Sequence, residues 1–289
     1  MATVYMFPGQ GSQTQNMGKE LFDDFPGYVE IAKRVVGYDI TELCLNDNGS
    51  RLNQTEFTQP ALYFVESLTF LKKIKEGNPL PAYLCGHSLG EYSALFASGM
   101  ISFEDGLILV RERGRLMGKI QGGAMAAIIG WQEEKLQAVL NQYPMSQVVI
   151  ANYNSATQFV ISGPVASVKD IAAVLEEAGA LVIHLKVSGA FHSPCMSEIK
   201  TEFNKVLSQV RFRPARVPVI SNVTGRPWNE SGDDHQKLID QIDHPVKWRE
   251  IIVWLLNNNV TKFVECGPGN VLTGLYKKIV REQPLHIKE

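Results

Sequence analysis

Short apolar runs alternate along this chain with longer segments in which apolar residues recur every three or four positions. The runs Val4 to Phe7, Ala82 to Cys85, Val217 to Ser221 and Lys262 to Cys266 read as buried strands. Helical spacing is predicted for Thr58 to Glu76, with Thr58 as cap, Pro60 in the first turn and Gly77 at the end. It recurs in Glu91 to Ser98 before Gly99, from Ser102 through Met117, in a segment ending near Leu207, and over Val246–Asn257 and Asn270–Val280. Ser102 followed by Asp105 resembles a capping box. Strands alternating with helices predict an α/β fold with a mainly parallel sheet covered on both faces.

The rhythm changes after Gly122-Gly123. Strand Ala124 to Gly130, helix Glu133 to Gln142, strands Val148 to Asn152 and Gln158 to Ser162, helix Val165 to Ala178 and strand Leu181 to Val187 give the order β-α-β-β-α-β. That is the ferredoxin-like split βαβ arrangement. With glycines at 122, 123 and 189 as flanks, residues 124–188 are expected to form a small unit inserted into a large one made of 1–123 and 189–289.

Composition narrows the options. The chain has 289 residues, 45% hydrophobic and 20% charged, and a formal charge of −2, so no global field attracts a nucleic acid. The basic segment Arg211-Phe-Arg213-Pro-Ala-Arg216 reads as a solvated turn. The four cysteines are scattered and form no C-x-x-C pair, so neither a disulfide framework nor a metal site is expected. The opening residues carry no basic region, and no apolar run reaches membrane-spanning length, which points to a cytoplasmic protein.

The chemistry gathers at strand-to-helix turns. Gly86-His-Ser88-Leu-Gly90 places a serine between glycines where a strand passes into a helix, the nucleophile-elbow pattern. Pro8-Gly-Gln10-Gly-Ser-Gln13 follows the first strand. It is no dinucleotide fingerprint, because Thr14 stands where the third glycine would be. In parallel sheets such turns share the carboxyl edge where ligands bind.

Ser88 needs a base. Of the six histidines, His87 adjoins the serine and should point away, His184 sits in an insert strand, and His235, His244 and His286 lie in polar stretches. His192, in the loop returning from the insert, is best placed. No acid stands out as a third member, so a Ser-His dyad is expected, with a backbone carbonyl fixing the histidine tautomer. Arg113 lies in the apolar stripe formed by Leu109, Val110, Leu116 and Met117. An arginine there is either one that snorkels from the stripe's edge or a receptor for a substrate carboxylate.

Phe7-Pro-Gly-Gln-Gly-Ser-Gln13, Thr58-Gln-Pro-Ala-Leu62, Gly86-His-Ser-Leu-Gly-Glu-Tyr92, Arg113-Gly114, Phe191-His-Ser193 and Gly267-Pro-Gly269 together resemble malonyl-CoA:acyl-carrier-protein transacylases. The likeness covers essentially the whole chain. It implies an α/β-hydrolase-like large domain carrying the ferredoxin-like insert. It also implies a ping-pong transfer of malonyl from malonyl-CoA through Ser88 to the phosphopantetheine thiol of an acyl carrier protein. His192 would be the base, the Gln10 and Leu89 backbone N–H groups the oxyanion hole, and Arg113 the carboxylate receptor. Gln59, Met117, Asn154 and Phe191 would line the pocket. The resemblance implies no tightly bound cofactor, no metal, and a monomer without nucleic-acid or membrane partners.

Two departures mark this sequence. His244-Pro-Val-Lys247-Trp248 has lysine where fatty-acid members carry glutamine, and the Lys247 carbonyl is expected to orient the histidine. Gly189-Ala-Phe-His192 resembles the discrete, trans-acting acyltransferases of polyketide synthases, with Phe191 as in malonyl-selecting versions. Rival readings are an acyl hydrolase that clears carrier proteins, whose members lack the arginine, and a non-catalytic carrier-docking protein.

Overall fold

A computed structural model describes residues 2–47, 50–228 and 234–282. In chain order the large unit begins with β1 (Ala2–Phe7), α1 (Pro26–Val36), α2 (Ile40–Asn46), α3 (Thr55–Lys75), β2 (Tyr83–Gly86), α4 (Gly90–Ser98) and α5 (Phe103–Lys119). The segment that follows contains β3 (Gly123–Ile129), α6 (Glu133–Asn141), β4 (Val149–Ser155), β5 (Gln158–Pro164), α7 (Val165–Glu177) and β6 (Leu181–His184). The chain then returns through α8 (Lys200–Leu207), β7 (Val219–Ile220), α9 (Asp234–Asp240), α10 (Trp248–Asn257), β8 (Val260–Glu265) and α11 (Val271–Glu282).

The first sheet has the order β7-β2-β1-β8 with every neighbour parallel. Side chains alternate across β1: Tyr5 and Phe7 enter the core with α3, α4 and α5, whereas Val4 and Met6 pack with α10 and α11. Cover on both faces explains why the strand is an unbroken apolar run. At its carboxyl end the glycines of the elbow are steric requirements. A Cβ on Gly86 would stand 2.0 Å from the Gly90 backbone, and one on Gly90 would stand 2.0 Å from the Phe7 carbonyl oxygen.

Helix α3 starts earlier than its sequence pattern suggests. Thr58 is not the cap, because its hydroxyl donates to the Leu52 carbonyl at 2.6 Å and the Gln54 carbonyl at 2.9 Å. Pro60 therefore falls beyond the first turn. Helix α5 does begin with the expected box, the Ser102 hydroxyl accepting from Asp105 N at 3.0 Å. The predicted helix before Leu207 divides into a 3₁₀ segment, Pro194–Ile199, and α8.

The second sheet is antiparallel with the order β4-β5-β3-β6, the ferredoxin-like arrangement. It has its own core, in which Ala126, Ile128, Phe159 and Ile161 pack against Leu136, Ile171 and Leu175 from α6 and α7. Strand β6 ends at His184 and not at Val187, because Val187 N turns back to the Leu185 carbonyl at 3.0 Å. A Cβ on Gly123 would lie 2.1 Å from Ala190 N, so a glycine is needed where the entering and leaving chains cross. Backbone bonds join β4 to the segment before α10, Tyr153 N to the Val246 carbonyl and Val246 N to the Ala151 carbonyl, both at 2.9 Å.

Candidate active site

The turn between β2 and α4 forces Ser88 to a φ of +52°, a left-handed conformation costly for any residue with a Cβ. It is held there at both backbone atoms. Ser88 N donates to Asn222 Oδ1 at 2.6 Å, and the Ser88 carbonyl accepts from Gln241 Nε2 at 3.0 Å and Glu91 N at 3.2 Å. Its Oγ lies 2.7 Å from His192 Nε2. His192, also left-handed at φ +57°, is 3% exposed, with Nδ1 2.9 Å from the Gln241 carbonyl oxygen. A carbonyl only accepts, so Nδ1 carries the proton and Nε2 presents its lone pair to the serine hydroxyl. Burial, then the Arg113 charge and His87, lowers the His192 pKa to about 3, so the ring is neutral near neutral pH.

The acceptor on His192 is thus Gln241 and not Lys247. Lys247 precedes the first turn of α10, where its carbonyl is taken by Ile251 N at 3.1 Å, while its own N–H donates to the Asn222 carbonyl at 2.9 Å. Asn154 is likewise displaced from its expected place. It accepts from His87 Nε2 at 3.0 Å, and Asn152, beside an irregularity in β4, lines the cavity instead.

Arg113 is 1% exposed on α5. Its Nη1 donates to Gln59 Oε1 at 2.9 Å and its Nη2 to Ser88 Oγ at 3.1 Å. The Tyr92 ring centroid is 5.6 Å from the guanidinium carbon, and Nε has no hydrogen-bond partner among the described residues. No carboxylate is paired with this buried charge in the described structure. A cavity of about 90 Å³ is lined by Gln10, Gln59, His87, Ser88, Leu89, Arg113, Met117, Asn152, Phe191 and His192, joined by Met125, Leu185 and Val187 from the second sheet and its exit, so His87 does not point wholly away as expected. Gln59 Nε2 reaches the Met117 sulfur at 3.6 Å, and Gln10 Nε2 donates to Thr55 Oγ1 at 3.1 Å. The backbone N–H groups of Gln10 and Leu89 have no acceptor among the described residues and are available to an oxyanion.

Of the other histidines, His184 is exposed on β6, His235 packs against Phe212, and His244 is exposed beside Asp243. His286 lies outside the described residues.

Residues 4–287 match the acyl transferase domain family. The chain belongs to this family. This acyl transferase is 46% identical over 281 residues to the polyketide biosynthesis malonyl CoA-acyl carrier protein transacylase PksC of Bacillus subtilis, covering 96% of this chain and 97% of that one. The solved malonyl CoA-acyl carrier protein transacylase of Burkholderia pseudomallei superposes with a TM-score of 0.94 at 41% identity, over 98% of this chain and 99% of the other. A malonyl-transacylase solved in complex with a type II polyketide synthase acyl-carrier protein gives 0.92 at 34% identity, over 97% and 94% of the two chains. Among the described residues of this acyl transferase no helix is long and apolar enough to cross a membrane.

Three residues of the acyl transferase site carry little mark in the sequence. Gln241 and Asn222 come from distant segments with no periodicity or charge to mark them. Glu91 directly follows the elbow in the first turn of α4, where an acidic residue at 1% exposure breaks the rule that charged types stay in water.

Proposed function

We propose that this chain transfers malonyl from malonyl-CoA to the phosphopantetheine thiol of an acyl carrier protein, through an ester on Ser88. The observation that carries the reading is a buried Arg113, with no carboxylate hydrogen-bonded to it among the described residues, donating to the same hydroxyl that donates to His192. A serine-histidine pair alone would serve many acyl transfers. The cation selects donors that end in a carboxylate.

In the first half-reaction the Ser88 oxygen attacks the thioester carbonyl as its proton passes to His192 Nε2. The oxyanion is received by the backbone N–H groups of Gln10 and Leu89, each such donor being worth about 3 kcal/mol of barrier. Collapse breaks the carbon–sulfur bond, and coenzyme A leaves as a thiol with the proton returned from the imidazolium. The carrier thiol then gives its proton to His192, attacks the malonyl ester and restores the serine. The Gln241 carbonyl keeps Nδ1 protonated throughout, which fixes the ring and stabilises its cationic form as it appears. Phe191 would crowd an α-methyl group on the acyl chain.

We further propose a cytoplasmic monomer, organised as a large unit of residues 1–123 and 189–289 and an insert of 124–188, that needs no tightly bound cofactor or metal. The similarity to polyketide relatives favours a carrier from a polyketide synthase. Intact mass spectrometry tests the chemistry. Malonyl-CoA alone should add one malonyl group to the wild-type protein and none to Ser88→Ala. An unmodified wild type, or an undiminished adduct in the variant, would end the reading.

A further inference from the structure

Glu91 is a buried acidic residue that no step above uses, yet it is bonded to both residues that clamp the elbow backbone and the imidazole, Asn222 and Gln241. Its Oε1 accepts from Asn222 N at 3.0 Å and from Trp228 Nε1 at 2.9 Å. Its Oε2 accepts from Gln241 Nε2, which also reaches the Ser88 carbonyl. The two residues fixed in this way are the clamps on the elbow. Asn222 receives Ser88 N and donates through Nδ2 to the Gly86 carbonyl at 2.6 Å, and the Gln241 backbone carbonyl receives His192 Nδ1. All three members are fully or almost fully buried, Glu91 at 1% and Asn222 and Gln241 at 0% exposure, so water cannot replace a lost partner.

We propose that Glu91 is a positioning residue for acyl transfer, a single carboxylate that sets both the strained Ser88 backbone and the orientation of His192 through Asn222 and Gln241. The place a triad acid would take, against His192 Nδ1, is filled by the Gln241 backbone carbonyl; Glu91 acts through the Gln241 side chain and makes no bond to the imidazole. An acid bonded directly to Nδ1 would raise the basicity of the histidine. An acid one residue removed supplies geometry while leaving the ring neutral. Donor geometry makes the carboxylate specific. An amide at position 91 still accepts from Trp228 and Asn222 on one atom, but its NH₂ then faces the NH₂ of Gln241, two donors without an acceptor between them.

The inference rests on the acyl-Ser88 reading, and the experiment separates the two. Single-turnover loading of Ser88 from malonyl-CoA is followed in wild type, Glu91→Gln, Gln241→Leu, the double variant and Trp228→Phe. The expected result is a loss of about tenfold or more in the maximal loading rate of Glu91→Gln with half-saturation by malonyl-CoA unchanged, since misplacing a reacting group lowers the chemical step. Gln241→Leu should lose as much and the double variant no more than either single one, because both changes break the same link. Trp228→Phe removes another Glu91 partner without touching that link and should load within about twofold of wild type. In proton NMR, the His192 Nδ1–H signal protected by the Gln241 carbonyl should broaden in Glu91→Gln while the fold remains intact. If wild type fails to load, the acyl-serine reading falls. If wild type loads and Glu91→Gln matches it, or if the losses of the single variants multiply in the double, the positioning role is overturned. Should Glu91→Gln fail to fold, Gln241→Leu decides, and a wild-type rate there sinks the inference.

Discussion

Replacing Arg113 by alanine separates recognition of the malonyl carboxylate from the chemistry of transfer. In the free protein Nη1 is held by Gln59, Nη2 is spent on the neutral Ser88 hydroxyl, and Nε is unpaired among the described residues. Nε and Nη2 form one edge of the guanidinium, the edge that receives a carboxylate through two parallel hydrogen bonds. Binding malonyl would therefore add one charge-assisted bond at Nε and exchange a weak neutral bond for a strong one at Nη2. At about 1.5–3 kcal/mol for a bond to a charged group, the gain is about 3–4 kcal/mol. That corresponds to a fall of roughly 100- to 1,000-fold in kcat/KM for malonyl loading of Arg113→Ala. Acetyl-CoA has no carboxylate to lose, and its slow loading should fall by about tenfold at most, through the missing bond to Ser88 Oγ. Rapid-quench labelling with radioactive malonyl- and acetyl-CoA measures both rates. Equal losses for the two donors would refute the carboxylate-receptor assignment, whatever their absolute size. Arg113→Lys should recover little, because an ammonium is a point charge without the planar fork.

Further outcomes are expected. Phe191→Ala should raise methylmalonyl loading relative to malonyl by about tenfold or more, as expected for one methyl group in a tight pocket, and an unchanged ratio would remove Phe191 from selectivity. The His192 ring resonances should stay constant between pH 8 and 5, since its pKa is lowered to about 3, and an inflection near 6.5 would contradict the burial argument. The sign for stability follows. The unfolded chain takes a proton on this histidine below about 6.5 and the folded chain does not, so its contribution to stability is lost as pH falls from there toward 3. Gly90→Ala should abolish soluble expression or lower the melting midpoint sharply, because the added methyl would stand 2.0 Å from the Phe7 carbonyl oxygen; a wild-type midpoint would show that the elbow can yield.

The alternating elements were legible because each strand is short, buried and closed by a turn signal, and the ferredoxin-like segment keeps a regular period on both sheet and helices. Other elements carried fainter marks. Helix α2 follows Asp39, whose carboxylate caps Thr41 N and Glu42 N, but it runs only from Ile40 to Asn46, too short to show a period. Helix α9 over Asp234–Asp240 follows polar residues, and a short helix there gains its stability from packing against the large unit and not from propensity. At the site, Ser88, His192 and Arg113 could be found because each is a chemical type out of keeping with its local pattern. The linear motif points to Lys247 and leaves Gln241 unmarked, because it cannot show whose carbonyl remains free once α10 has formed. The resemblance points to Asn154 and not to Asn152 in the cavity, because the irregularities in β4 arise from its pairing with β5 and leave no trace in composition.

The cavity of about 90 Å³ around Ser88 has a bearing on traffic. Donor and carrier thioesters react at the one Ser88 hydroxyl inside it, so the donor's coenzyme and the carrier's prosthetic arm must use the site in turn. Free coenzyme A then competes with the carrier for the acylated enzyme and, on binding, drives the step backwards. Throughput should accordingly follow the ratio of malonylated to free coenzyme and not the donor concentration alone, and product-inhibition kinetics would read this directly. A pocket shaped for one small acid thereby makes its enzyme responsive to how fully the coenzyme pool is charged.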